Sequence, residues 1–176
     1  MKIITLLIFG IMSVCTNNVL SQKPVIGIYV TNSYVDKFVG RWKWSNRVDD
    51  VTIEFKKVKF WWRVSNYYQD VLMGCHSYVK NGEPIESTMS DISLIQPQMI
   101  AMKGSLLMYN LDNEGPFKIY GSLKDVTLNK DAEVSLTYIS GSTPQMLWYS
   151  WPFSDIVFAP EAVGLTLPTN LVLVRQ

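Results

Sequence analysis

The chain has little of the side-chain chemistry that most metal and catalytic sites require. Its 176 residues include two cysteines, Cys15 and Cys75, and one histidine, His76. Zinc sites need several cysteine or histidine ligands, so a zinc site of the usual kind is excluded by number. Neighbouring side chains on a strand point to opposite faces, which argues against a Cys75–His76 nucleophile pair. We expect a buried thiol beside a half-exposed imidazole, with no catalytic residue, no metal ligand and no cofactor.

The sequence also contains no motif typical of a catalytic serine or of a catalytic pair of carboxylates. Gly121-Ser122 and Gly141-Ser142 have the composition of turns, and neither lies in a Gly-x-Ser-x-Gly elbow. Asp49-Asp50 and the pair Asp112/Glu114 lie in turn-like segments, where solvated carboxylates are the ordinary expectation. Carboxylates that converge only in space leave a small hydrolase open as an alternative.

The chain also lacks an excess of charge of one sign. It carries 16 Lys and Arg against 15 Asp and Glu, a formal net charge of +1. Proteins that bind nucleic acids usually have a strongly basic surface, so we expect no nucleic-acid partner. Internal repeats, low-complexity tracts and linkers are absent from the sequence, which indicates a single domain.

One apolar run, at the N-terminus, has the layout of a secretory signal. Lys2 precedes the uncharged segment 3–12, and a small residue, Ser21, comes before Gln22. The run is too short for a permanent membrane-spanning helix, which needs about 20 residues. We therefore expect residues 1–21 to be a cleaved signal peptide and residues 22–176 to be one β domain without a transmembrane helix. The mature protein would be periplasmic or extracellular.

Two alternatives remain open for this N-terminal segment. It could be a buried strand or helix of the domain, or it could direct lipid attachment at Cys15, which would anchor the protein to a membrane. Lipoprotein signals usually place a small residue before the modified cysteine, and here Val14 stands there. Cleavage after Ser21 would leave Cys75 as the lone cysteine and exclude an internal disulfide.

Alternating apolar and polar residues predict strands through most of the chain. Val51, Ile53 and Phe55 share one face of a strand, but the apolar positions resume in a shifted phase at Val58. A one-residue shift exchanges the two faces of a strand, so this pattern suggests a bulge or tight turn near residues 56–57.

The longest strand candidate is 67–80, which ends at Asn81-Gly82. That dipeptide tolerates the positive φ angles of a type I′ turn, so it predicts a hairpin. The other candidates are 83–89, 98–108 (interrupted near 103–104), 117–120, 123–128, 133–140, 145–151 and 170–175. A domain of eight or more strands must remove exposed strand edges. We predict an all-β fold with a single antiparallel barrel, and a β-sandwich is the alternative.

The segment around Gly40-Arg41-Trp42 resembles the opening of the lipocalin and fatty-acid-binding (calycin) barrels. In those proteins a Gly-x-Trp lies at the start of the first barrel strand. The resemblance implies a lipocalin-like or calycin-like barrel whose floor is closed by Trp42, with Arg175 of the last strand across its ring. Such a cation–π contact contributes about 0.5–2 kcal/mol. It gives Gly40, Trp42 and Arg175 structural roles.

A second resemblance spans most of the chain. It runs from the apparent signal peptide through 38–44 and 70–82 to the terminal segment 164–170. This layout is similar to a family of small exported bacterial proteins of unknown function, of the Bacteroidetes type. The resemblance supports export and a single domain and implies no activity.

The distribution of aromatic residues is compatible with two principal hypotheses for the function of the protein. Six tryptophans include the groups Trp61-Trp62 and Trp148/Trp151, and alternation places one of Trp61 and Trp62 outward. The first hypothesis is a non-catalytic barrel that binds a small apolar or aromatic ligand. The second is a structural or interaction protein of the cell envelope, with a filled core and an aromatic patch for a protein partner. Eight-stranded barrels occur with and without a ligand cavity, so the state of the interior separates the two.

Overall fold

A computed structural model of the chain describes residues 27–110, 115–153 and 164–176. The expected signal segment 1–21, Cys15 and the pair Asp112/Glu114 lie outside the described residues. Two 3₁₀ helices, Ser33–Phe38 and Met89–Leu94, are accompanied by strands β1 (Tyr29–Val30), β2 (Gly40–Ser45), β3 (Asp49–Trp62), β4 (Tyr67–Lys80), β5 (Glu83–Ser87), β6 (Gln98–Met99), β7 (Leu106–Tyr109), β8 (Lys118–Asp125), β9 (Lys130–Ile139), β10 (Gln145–Pro152) and β11 (Asn170–Arg175).

Eight strands form a closed antiparallel barrel. The order is β2-β3-β4-β7-β8-β9-β10-β11, and β11 pairs back onto β2. β1 and β6 add to β4 and β3 in parallel, and β5 adds to β4 antiparallel. The predicted all-β antiparallel barrel is therefore confirmed, and the chain does not form the alternative sandwich. Within the described ranges, neither helix is long and apolar enough to cross a membrane.

The hairpin of β3 and β4 has an unbroken register along its whole length. Residues pair from Asp49–Lys80 to Trp62–Tyr67 without a shift, so the predicted bulge near residues 56–57 is wrong. The phase change marks instead a change in which face is buried, because Phe55 packs inside the barrel and Val58 packs outside it. The segment after β5 covers that outer face and supplies Ile95 and Met99.

Large apolar side chains fill the barrel interior. Its fully buried members include two tryptophans and two phenylalanines, and those of the greatest volume are Trp42, Trp148, Phe38, Phe55, Ile53, Leu72, Leu106, Met108, Ile119, Leu123 and Leu136. They come from strands on all sides of the barrel and from the first 3₁₀ helix. Packing of this kind is what an eight-stranded barrel achieves when its own side chains occupy the lumen.

The turn after β4 has the conformation that its sequence, Asn81-Gly82, predicts. The strand has the predicted bounds, and Asn81 and Gly82 take φ angles of 53° and 81°. Positive φ at both central residues is the requirement of a type I′ turn, so the predicted hairpin is confirmed.

Gly121-Ser122 is not a turn, contrary to the sequence prediction. Both residues lie inside β8, which runs continuously where two short strands were expected. A Cβ on Gly121 would lie 1.9 Å from the carbonyl oxygen of Leu107 on β7. Glycine therefore serves a close approach between two strands at this position, and not a reversal of the chain.

Candidate functional site

The end of the barrel at Gly40 is covered by one aromatic and one cationic side chain. The Arg175 guanidinium carbon lies 5.5 Å from the centroid of the Trp42 ring, and Nη2 donates to the carbonyl oxygen of Val39 at 2.6 Å. Trp42 is fully buried, and its indole N–H donates to the carbonyl oxygen of Phe38 at 2.7 Å. The contact predicted between Trp42 and Arg175 is present. It joins the first and last barrel strands, which pair at these two residues.

The backbone conformation of Gly40 belongs to this arrangement. Its φ angle is 114°, a conformation that favours glycine, and a Cβ there would lie 3.5 Å from Nη2 of Arg175. A side chain at this position would therefore strain the backbone directly beneath the guanidinium.

A buried polar network surrounds His76 of β4, far from the turn at residues 63–66 that joins β3 to β4. His76 Nδ1 is 2.7 Å from Ser105 Oγ, and His76 Nε2 is 2.7 Å from Glu86 Oε1. Ser105 Oγ also lies 2.9 Å from Thr88 Oγ1. The network thus joins β4, β5 and the segment that leads into β7.

Glu86 extends this network to the turn between β8 and β9. Its carboxylate accepts the backbone N–H groups of Val126 at 3.0 Å and Thr127 at 3.2 Å. Burial disfavours the charged carboxylate, but the hydrogen bonds from His76, Thr127 and Val126 outweigh burial and lower the pKa of Glu86 from 4.5 to about 2. The group therefore stays ionised in the folded protein down to strongly acidic pH.

Ser105, His76 and Glu86 follow the order hydroxyl, imidazole, carboxylate, as in a hydrolase triad. Their exposed fractions are 1%, 0% and 6%, so the hydroxyl has no open space beside it for a substrate carbonyl. We interpret the network as a tie between strands. The sequence expectation of a half-exposed imidazole is wrong, because partners 10 and 29 residues away enclose the ring. The expectation of a buried thiol is confirmed, and burial raises the pKa of Cys75.

A groove on the outside of the barrel is lined by residues of β2 and of β8 to β11. It has a volume of about 650 Å³ and crosses β9, β10 and β11 to Trp44 on β2. The ladder between β11 and β2 consists of the pairs Val174–Lys43 and Arg175–Trp42, and Trp44 lies just past it. We call this feature the seam groove, since it follows the junction of the first and last barrel strands.

The lining of the seam groove combines apolar side chains with polar ones, among them the cationic Lys118. Leu147 lies between Thr137 and Val172, and Tyr149 lies between Ser135 and Asn170. Half of the Tyr149 side chain, 49%, is exposed. The volume falls within the range of small-molecule sites, about 300–1,000 Å³, which typically combine apolar walls with a few polar groups. No pattern in the sequence predicts this site, because its residues come from five separate strands.

The fold and these sites define a closed eight-stranded antiparallel barrel with a filled interior and a groove on its outer face. By sequence, the chain belongs to a family of unknown function, DUF6705, whose model matches residues 1–176. No curated protein and no solved structure matches the chain. The expected membership of a family of unknown function is confirmed, while the Bacteroidetes-type range and the calycin relationship stay expectations from the sequence.

Proposed function

We propose that the protein is an exported, non-catalytic binding protein that holds a small apolar or aromatic ligand in the seam groove. The observation that carries this proposal is the contrast between the two surfaces of the barrel. Inside, Trp42, Trp148 and their neighbours are fully buried against one another. Outside, Leu147, Tyr149 and Val172 remain partly exposed around a groove large enough for a small molecule.

The ligand class follows from the lining. Trp44 and Tyr149 offer aromatic surface, and Leu147 and Val172 offer aliphatic surface. Ser135 in the lining supplies a hydroxyl that could orient one polar group of a ligand. Burial of an aromatic ligand against such walls removes apolar area from water, which favours binding by about 25 cal/mol per Å².

The non-catalytic part of the proposal has separate support. The serine, histidine and carboxylate that stand in catalytic order are buried, and the seam groove has no acidic side chain or histidine in its lining. Export is supported by the order of charge, apolar run and small residue in segment 1–21.

Titration with the neutral aromatic fluorophore N-phenyl-1-naphthylamine tests the groove. We expect saturable binding with one site per chain, and Tyr149→Ser should weaken it at least about fivefold, or about 1 kcal/mol. Tyr34→Ser is the matched control, because Tyr34 is 44% exposed and lies on the first 3₁₀ helix, outside the groove lining. Equal affinities for the two variants would contradict the proposal.

The filled interior also favours a second candidate, an interaction protein of the cell envelope without a small ligand. Native mass spectrometry of the protein purified from its exported fraction distinguishes the two. A co-purified small molecule that Tyr149→Ser releases supports the binding protein. A bare chain that also fails to bind the fluorophore supports the second candidate.

A further inference from the structure

We propose that the tip of the β3–β4 hairpin docks onto an anionic lipid surface, independently of the proposed ligand in the seam groove. The tip comprises residues 59–69, with the turn Arg63-Val64-Ser65-Asn66 at its apex. β3 and β4 extend beyond the barrel here. β2 pairs with β3 only as far as Phe55, and beyond that the same edge of β3 gains only the two-residue strand β6.

The apex of the tip exposes one apolar side chain, Val64, among polar neighbours. Val64 is fully exposed to solvent. Ile28 and Tyr29 lie next to the tip, because the Tyr68 N–H donates to the carbonyl oxygen of Ile28 at 2.9 Å, and both are also exposed. Exposed apolar side chains clustered at the end of a protruding hairpin need a partner that removes them from water.

Aromatic side chains surround the hairpin below this apex. Trp61 packs on Tyr68 with ring centroids 4.6 Å apart, and Trp62 packs edge-on against Phe60 at 5.1 Å. The Trp62 indole N–H donates to Gln69 Oε1 at 3.1 Å. Rings with an apolar body and a polar edge are enriched at membrane interfaces, where one end is apolar and the other is hydrated.

All the charged side chains of the tip are positive. Residues 59–69 contain Lys59 and Arg63 and no acidic residue. Arg63 is exposed and forms no ion pair within the described part of the chain, while Lys59 lies 4.5 Å from the Tyr29 ring centroid. The nearest carboxylate on the hairpin, Asp70, is buried and paired with Lys57 at 3.0 Å. Two cations beside exposed apolar groups complement anionic lipid headgroups.

The chain also enters the domain at this end. The Gly27 N–H donates to the carbonyl oxygen of Asn66 at 2.8 Å, so the segment that carries the apolar run of residues 3–12 joins the described residues beside the tip.

Co-sedimentation with vesicles tests the proposal, using the full chain and, in parallel, the chain from Gln22, which retains every strand described. The probes are vesicles of phosphatidylcholine alone and vesicles with a large fraction of phosphatidylglycerol. We expect the chain from Gln22 to bind the anionic vesicles preferentially and to lose binding at high salt. The double variant Arg63→Glu, Val64→Asp should lower the partition coefficient at least about fivefold.

An identical dipeptide provides the control. Arg47 and Val48 are both exposed in the turn between β2 and β3, at the other end of β3 from the tip. The double variant Arg47→Glu, Val48→Asp has the same charge change and should bind like wild type. Equal loss in both double variants, or no vesicle binding by the wild-type chain from Gln22, would overturn the proposal. A change in oligomeric mass on substitution at the tip, without vesicle binding, would overturn it in favour of a second copy of the chain.

Discussion

At the scale of single residues, two buried carboxylates, Glu86 and Asp125, join distant parts of the chain. Glu86 contacts both His76 on β4 and the turn after β8, and Asp125 accepts the N–H and hydroxyl of Thr166, 41 residues away. Each of these carboxylates is held by several hydrogen bonds, which offset the cost of burying the charge.

The low pKa of Glu86 predicts a specific acid sensitivity. The folded pKa is about 2 against 4.5 in the unfolded chain, so the stabilisation is complete above pH 4.5 and is lost as the pH falls toward 2. The full loss is about 3 kcal/mol of unfolding free energy, and about 2 kcal/mol of it should appear by pH 3.

Urea unfolding of Glu86→Gln at several pH values measures this contribution. The variant should be less stable than wild type at pH 7, and the difference should shrink between pH 4.5 and pH 3. Glu83→Gln is the control, because Glu83 lies on the same strand with its side chain in solvent. A difference between wild type and Glu86→Gln that is constant with pH would contradict the assignment.

At the scale of strands, glycine sets how closely β7 and β8 approach. The Cβ that alanine would add at Gly121 meets the Leu107 carbonyl oxygen at 1.9 Å and the Met108 Cα at 2.8 Å. Backbone atoms cannot move aside as the end of a flexible side chain can, so the two strands must separate.

We therefore expect Gly121→Ala to lower the free energy of unfolding by at least about 2 kcal/mol. Gly141→Ala is the matched control, since its nearest neighbour would be the Thr143 carbonyl oxygen at 3.6 Å. That variant should change stability by less than about 0.5 kcal/mol. Similar urea midpoints for the two variants would show that β7 and β8 can separate at little cost.

Sequence predicts strands well where the determinants are local. The bounds of β4 and the type I′ turn at Asn81-Gly82 depend on neighbouring residues, and both are correct. The exchange of buried faces at Val58 depends on Ile95 and Met99, more than 35 residues further along the chain, so alternation alone suggested a bulge. The enclosure of His76 and the residues of the seam groove likewise arise only when separate strands meet.

At the scale of the whole molecule, the barrel closes through its first and last strands. Trp42 and Arg175 are paired across that junction, and the hydrogen bond from Arg175 to Val39 lies beside them. If the cation–π contact stabilises closure, its free energy should appear as coupling between the two side chains.

A double-mutant cycle on Trp42→Phe and Arg175→Ala should give a coupling energy above about 0.5 kcal/mol. Trp148→Phe combined with Arg175→Ala serves as the control. Trp148 is also a buried indole, but it pairs with Leu171 at the far end of β11, so its effect should add to that of Arg175→Ala. Additive effects in both cycles would leave the contact without a measurable part in closure.

The β3–β4 hairpin has one further consequence, for how the chain can change over evolution. One of its faces lies partly in the barrel core and the opposite face lies partly in the outer cluster. Insertion or deletion of one residue in the middle of either strand would expel side chains from both cores at once. The strands of the hairpin should therefore tolerate almost no variation in length, whereas the residues of the turn at 63–66 can be substituted without disturbing either cluster. Diversification of this protein would then proceed by changing what the tip displays and not how far it reaches.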